Sequence, residues 1–257
     1  MPSSPEILLT AVGLSKSFGG LKAVSNLTLS IRTGSVTSLV GPNGAGKTTL
    51  FNIITGALKP DTGHIHFKGR EITGFPPYQV ARRGISRTFQ DLRLFLGMTV
   101  LENVLVSIPG QSGESPAVVF GTPWRVRAEE RRHREEAWEV LRVVDLLEKQ
   151  NELAANLSFG QQKRLIIGRA LAMRSELWLL DEPAAGLDAK AVRGAMDLIR
   201  RLAGLGQTVC LVEHNLRVVR HVSDWVLFLN EGKLLAEGTP EEIFNNQDLR
   251  AIYLGNV

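Results

Sequence analysis

Gly41-Pro42-Asn43-Gly44-Ala45-Gly46-Lys47-Thr48, followed by Thr49, has the spacing G-x-x-x-x-G-K-[ST]. Glycines at these positions let successive backbone N–H groups turn inward on phosphate oxygens. Lys47 then reaches the β- and γ-phosphates, and the Thr48 hydroxyl is a ligand for Mg²⁺. The flanks give the pattern its context. Ser35-Val36-Thr37-Ser38-Leu39-Val40 reads as a short buried strand, and Thr49-Leu50-Phe51-Asn52-Ile53-Ile54 continues as a helix whose N-terminus faces the anion. Strand, glycine loop and helix together predict a nucleotide site in an α/β fold.

The same alternation recurs downstream. Leu177-Trp178-Leu179-Leu180 is a wholly apolar run ending at Asp181-Glu182, and Val209 to Val212 is another, ending at Glu213-His214. Helical patterns lie between them, the clearest from Val192 to Leu202. The core is therefore expected to be a parallel sheet wrapped by helices, with ligand at the C-terminal ends of its strands. Asp181 is placed there as the acidic partner of Mg²⁺, Glu182 to polarise an attacking water, and His214 to bond the γ-phosphate. Trp225 to Leu229 and Lys233 to Ala236, joined by Asn230-Glu231-Gly232, read as a hairpin.

Other stretches read as follows. Ile7-Leu8-Leu9 opens an extended segment, Leu27 to Ile31 alternates with period two, and Ser17-Phe18-Gly19-Gly20 is a turn bearing an exposed aromatic. His64 and His66 alternate with apolar residues on one strand face, without further ligands at metal spacing. Thr99 with Glu102 forms a capping-box pattern ahead of a helix. Trp124 to Lys149 reads as helix with Ala137, Val140, Leu141, Val144 and Leu147 as its apolar stripe, and its mixed charges from Arg127 to Glu136 as a solvated face. Residues about 90–165 are expected to form a helical insertion within one domain spanning 1–257.

Composition narrows the setting. Thirty Lys and Arg against 26 Asp and Glu give a net charge of +4, too mild to require nucleic acid or a membrane surface. A lone cysteine, Cys210, excludes a disulfide framework and sits in an apolar run as a small hydrophobe. The first residues lack the basic start and apolar core of a secretory signal, and no apolar run reaches the ~18 residues of a membrane span. Work at a membrane would go through a partner.

Leu157-Ser158-Phe159-Gly160-Gln161-Gln162-Lys163-Arg164 resembles the signature motif of ABC transporter ATPases. The order of the other motifs is similar to that family too. Gln90 resembles the Q-loop glutamine, Ala185-Gly186-Leu187-Asp188 the D-loop, His214 the switch histidine, and Phe18 the aromatic that stacks on adenine. This resemblance implies a P-loop NTPase core with an N-terminal antiparallel β subdomain and an inserted α-helical subdomain. It implies Gln90 and Thr48 as direct Mg²⁺ ligands, with Asp181 acting through water. Ser158, Gly160, Gln161 and Asp188 would serve the ATP of a second subunit, so that two ATPs join a head-to-tail dimer and hydrolysis releases it.

Gly84 to Phe95 with Met98 to Val104, and the end from Glu237 to Gly255, resemble the ATPases of branched-chain and hydrophobic amino acid importers, whose relatives take urea or short amides. The implied partners are membrane permease subunits, a second ATPase subunit and, indirectly, an extracytoplasmic solute-binding protein. The implied location is the cytoplasmic face of the inner membrane. Two other classes fit less well. A nucleic-acid ABC ATPase would show long heptad arms, metal-binding cysteines or a second phosphate loop, and a P-loop kinase would leave 157–164 unexplained. Leu92 to Thr99, apolar and basic, suits a groove for a short helix of the membrane partner.

Overall fold

The computed structural model describes residues 6–88, 94–110 and 123–254. Period-two burial builds the first sheet. Ile7–Phe18 (β1) and Leu21–Arg32 (β2) pair antiparallel, with Leu27, Leu29 and Ile31 buried and Asn26 and Thr28 exposed. Their turn is Gly19-Gly20, both at positive φ (50° and 91°), which leaves Phe18 half exposed at the tip. Val36–Val40 (β3) is buried at every position, and Lys47–Ile54 (α1) follows the glycine loop. Thr62–Phe67 (β4) and Arg70–Glu71 (β5) complete a sheet in the order β2-β1-β4-β5. His64 and His66 alternate there with buried Ile65 and Phe67, and His64 Nδ1 lies 2.7 Å from Glu71 Oε1. Pro77–Arg82 (α2) and Ile85–Arg87 (β6) come next.

The chain then enters Val100–Leu105 (α3), Pro123–Val143 (α4) and Phe159–Ala172 (α5) before returning to strand. Leu177–Asp181 (β7), Ala189–Gly204 (α6), Thr208–Val212 (β8), Leu216–Val222 (α7), Trp225–Asn230 (β9), Lys233–Gly238 (β10), Pro240–Asn245 (α8) and Gln247–Leu254 (α9) follow. The second sheet runs β10-β9-β3-β8-β7-β6, parallel except for β10. Its inner strands are buried on both faces: Leu39, Leu179, Cys210 and Leu227 pack with α1 and strands β1, β2 and β4, and Val40, Val226 and Phe228 with α7, α8 and α9. Cys210, on β8, is fully buried, and burial pushes its thiol up to about 12, so it is a packing residue with no nucleophilic character. The β9–β10 hairpin turns on Glu231 and Gly232, both at positive φ, as a tight turn requires.

Two compact units result, Met1–Arg87 with Glu176–Val257, and Thr88–Ser175. The second unit takes in all of α5, since a continuous helix cannot be divided near residue 165. Thr99 caps α3 through the expected capping box, its hydroxyl accepting from Glu102 N while Glu102 accepts from Thr99 N. The expected helix from Trp124 to Lys149 stops at Val143. Asp145 turns the chain at φ 55°, so Leu146 takes the buried position and Leu147 begins a separate short 3₁₀ turn. Ala137, Val140, Leu141 and Val144 form the buried stripe as read.

Candidate nucleotide site

Register brings the chemistry together. Val212, the last residue of β8, lies level with Leu39 near the end of β3 and with Asp181 at the end of β7. The loop after β3, the carboxylates after β7 and His214 after β8 therefore emerge along one edge of the sheet. A cleft of about 350 Å³ opens there, lined by Phe18, Leu21, Ala23, Asn43 to Thr49, Glu182, Val212 and His214. Phe18, Asn43, Gly44, Ala45, Gly46, Lys47, Thr48, Thr49, Glu182 and His214, expected at the site from sequence, all line it.

The loop turns on glycines at positive φ, and two of them have no room for a Cβ. A Cβ at Gly46 (φ 98°) would stand 2.3 Å from the Ala23 carbonyl oxygen, and one at Gly41 (φ 151°) 2.0 Å from that of Leu229. Gly44, at φ 79°, faces open space. Gly46→Ala should weaken ATP binding by about tenfold or more, because backbone strain of 1–3 kcal/mol is compounded by the collision. Gly44→Ala should lose less. Fluorescent-nucleotide titration of both variants checks this, and equal affinities would contradict it.

Lys47 is 6% exposed and donates to Gly41 O at 2.7 Å and Pro42 O at 2.8 Å. Burial lowers its pKa, opposed by the charges of Glu182 and then Asp181. Pro42 thus contributes through its carbonyl. Glu182 adopts φ 48°, a left-handed conformation costly for a residue with a Cβ, and its Oε1 lies 3.1 Å from His214 Nε2. Strain of this kind concentrates at functional sites.

Three groups holding these residues were not legible in sequence. Glu213, 3% exposed, accepts from Ala184 N at 3.0 Å, His214 N at 2.8 Å and Asn215 N at 3.0 Å, tying the turn after Glu182 to the segment bearing His214. Arg87 donates to Asp181 Oδ2 at 2.8 Å and to Asn52 Oδ1 at 2.6 Å, locking the end of β6 to β7 and α1. Arg87 is distant in sequence from Asp181, and Glu213 from Ala184, so no local pattern announces these links. Asn103, wholly buried in the other unit, accepts from Phe95 N and donates to Phe95 O and Thr99 O, clamping a loop on which Phe95, Leu96 and Met98 are exposed.

In that second unit Ser158 and Gln161 cap α5 reciprocally, Gln161 Oε1 accepting from Ser158 N at 2.9 Å. Gly160 lies in the first turn, where backbone N–H groups point outward. Asp188 caps α6, its Oδ1 accepting from Lys190 N and Ala191 N. Gln90 lies outside the described residues.

Residues 24–185 match the ABC transporter family over its phosphate loop, the signature stretch and the Asp181-Glu182 pair. The chain belongs to that family. As an ABC transporter ATPase it binds ATP, and its partners are those of a transporter subunit, a membrane permease and a second cassette. It is 43% identical over 251 residues to the high-affinity branched-chain amino acid transport ATP-binding protein LivG of Salmonella typhimurium, covering 96% of this chain and 98% of that one. It is likewise 43% identical over 250 residues to BraF of Pseudomonas aeruginosa, named for the same transport, with the same coverage. Among solved structures it is similar to the ADP conformation of the ATP-binding cassette MJ1267, with TM-score 0.84 and 34% identity over 97% of this chain and 99% of that one. A dimeric cassette, MJ0796, matches at TM-score 0.73 and 29% identity, over 91% and 99%. No described helix of this ABC ATPase is long and apolar enough to cross a membrane.

Proposed function

We propose that this ATPase drives an importer of branched-chain or other hydrophobic amino acids, and that the whole chain is one ATPase domain with the unit around 88–175 as its helical insertion. End-to-end identity to LivG and BraF carries the solute assignment. Within the cycle, the loop amides and Lys47 bind the β- and γ-phosphates, and Phe18 stacks on adenine. Glu182 takes the proton of the attacking water, held by His214, which also contacts the γ-phosphate. Ser158, Gly160, Gln161 and Asp188 serve the ATP of the opposite subunit. The capping box uses the lone pairs of Ser158 Oγ and leaves its O–H able to donate, while the α5 N-terminus offers amides and a favourable dipole.

The donors at Thr48 and Asp181 are hard oxygens and fit Mg²⁺, as does Gln90. Among the described residues there is no cluster of three His, Cys, Asp or Glu side chains, so these two donors suit an ion that arrives with its phosphates. When bound, Mg²⁺ neutralises charge developing between the β- and γ-phosphates. Permease subunits, reached through the exposed loop from Leu94 to Thr99, hold the chain peripherally at the cytoplasmic membrane face, and a solute-binding protein delivers cargo from the other side.

The test is transport by the reconstituted importer. Wild type should take up leucine, isoleucine and valine with ATP, whereas Leu94→Asp with Phe95→Asp should abolish uptake and leave ATP affinity unchanged. Uptake by the double variant at the wild-type rate would remove the loop from the interface. Wild-type uptake of urea with none of leucine would overturn the solute assignment.

A further inference from the structure

His214 is tethered on three sides. Its ring nitrogen Nε2 meets Glu182 Oε1 at 3.1 Å, and its backbone N–H donates to Glu213 Oε2 at 2.8 Å. Its carbonyl oxygen accepts a 2.8 Å hydrogen bond from the hydroxyl of Tyr253, on helix α9. The first two tethers come from residues beside the site. The third crosses from the far end of the chain and has no part in the chemistry described above.

Tyr253 is well placed for such a task. Its ring meets the edge of Phe228 on β9, centroids 6.4 Å apart at 61°. It packs on an apolar cluster containing Val219, Ile243, Phe244 and Leu249, which joins α7, α8, α9 and the sheet. A rigid aromatic seated on that cluster presents its hydroxyl at a defined point. Burial, and then the Glu213 charge, raise the pKa of the phenol, so it remains a donor through neutral and mildly alkaline pH. The accepted bond fixes the plane of the His214–Asn215 peptide. That peptide leads directly into the α7 N-cap, where Asn215 Oδ1 accepts from Arg217 N.

We propose that Tyr253 is a positioning residue for His214, and that helix α9 thereby sets where the imidazole stands against Glu182 and the γ-phosphate. A freed carbonyl lets the peptide plane rotate, and the ring loses the alignment on which transfer at the phosphate depends. The inference rests on the reading that His214 acts in hydrolysis.

Three single variants of the full chain test both. His214→Ala should lower turnover by about a hundredfold while ATP still binds. Tyr253→Phe keeps the ring on Phe228 and removes only the hydroxyl. It should lower kcat about fivefold at unchanged KM, with Tm falling by no more than the few degrees that one hydrogen bond contributes. Ile243→Val loosens the same cluster with the hydroxyl intact, and should lower Tm by a few degrees at unchanged kcat. If His214→Ala keeps wild-type turnover, the reading of His214 falls and the tether falls with it. If His214→Ala is inactive and Tyr253→Phe turns over as wild type, the tether alone is overturned. Parallel losses of Tm and kcat in both Tyr253→Phe and Ile243→Val would reduce Tyr253 to a packing residue, also overturning it.

Discussion

Glu182→Gln should bind ATP as wild type does and hydrolyse it about 10²- to 10⁴-fold more slowly, the usual contribution of a general base. Glutamine keeps the shape and a hydrogen-bonding oxygen for His214, so the 3.1 Å contact can persist. What is lost is the ability to take a proton. Because ATP then survives, a dimer closed around two ATPs should accumulate, ATP fitting the closed state better than the open one. Light scattering with and without ATP reads this directly. A shift from monomer to dimer shows that the chain pairs with itself. A monomer that binds ATP throughout assigns the second cassette to a different chain, and a protein that binds no ATP overturns the site. Undiminished hydrolysis would remove Glu182 from catalysis.

Arg87→Met should strongly destabilise the frame that holds the site. Arg87 and Asp181 have side chains only 6% and 12% exposed, 2.8 Å apart. Removing the guanidinium leaves the carboxylate buried beside the sheet without that partner and also takes the bond from Asn52. Breaking one half of a buried pair costs about 3–5 kcal/mol, which for a chain of this size is a fall in Tm of about 10 °C. Arg87→Met with Asp181→Leu should recover most of the stability, since an apolar pair of similar volume replaces the ion pair, yet should remain inactive because Asp181 is gone. Thermal denaturation of the three proteins decides it. A single variant within about 1 kcal/mol of wild type would show that the pair contributes little.

The roles of Arg87 and Glu213 mark where sequence reading stopped. Arg87 appears in sequence only as part of a stretch resembling importer ATPases, and Glu213 as a strand-end neighbour of His214. Each gains its role from a residue remote in the chain, Asp181 for one and Ala184 for the other. Asn103 is the same case on a smaller scale. Its four-residue spacing from Thr99 suits a helix, but its burial and its grip on Phe95 follow from how the loop folds back over α3. The end of α4 differed for a local reason. On a helix continued past Val144, Leu147 would share the face of the buried stripe and Leu146 would lie opposite it; the left-handed turn at Asp145 breaks that period and puts Leu146 in the core.

The sequence by itself determined the phosphate loop, the buried strands that precede it and its acidic counterparts, and the cap of α3. All of these are set by neighbours within a few residues, through backbone φ, side-chain period and reciprocal hydrogen bonds. Tertiary structure alone decided which distant side chains hold those parts in place. Strand register aligned Leu39, Val212 and Asp181, and folding then brought Arg87 to Asp181, Glu213 to the turn after Glu182, and Tyr253 to His214. Such pairings arise because a buried charge or carbonyl must find a partner wherever the packed chain supplies one, and nothing in local spacing records which residue that will be.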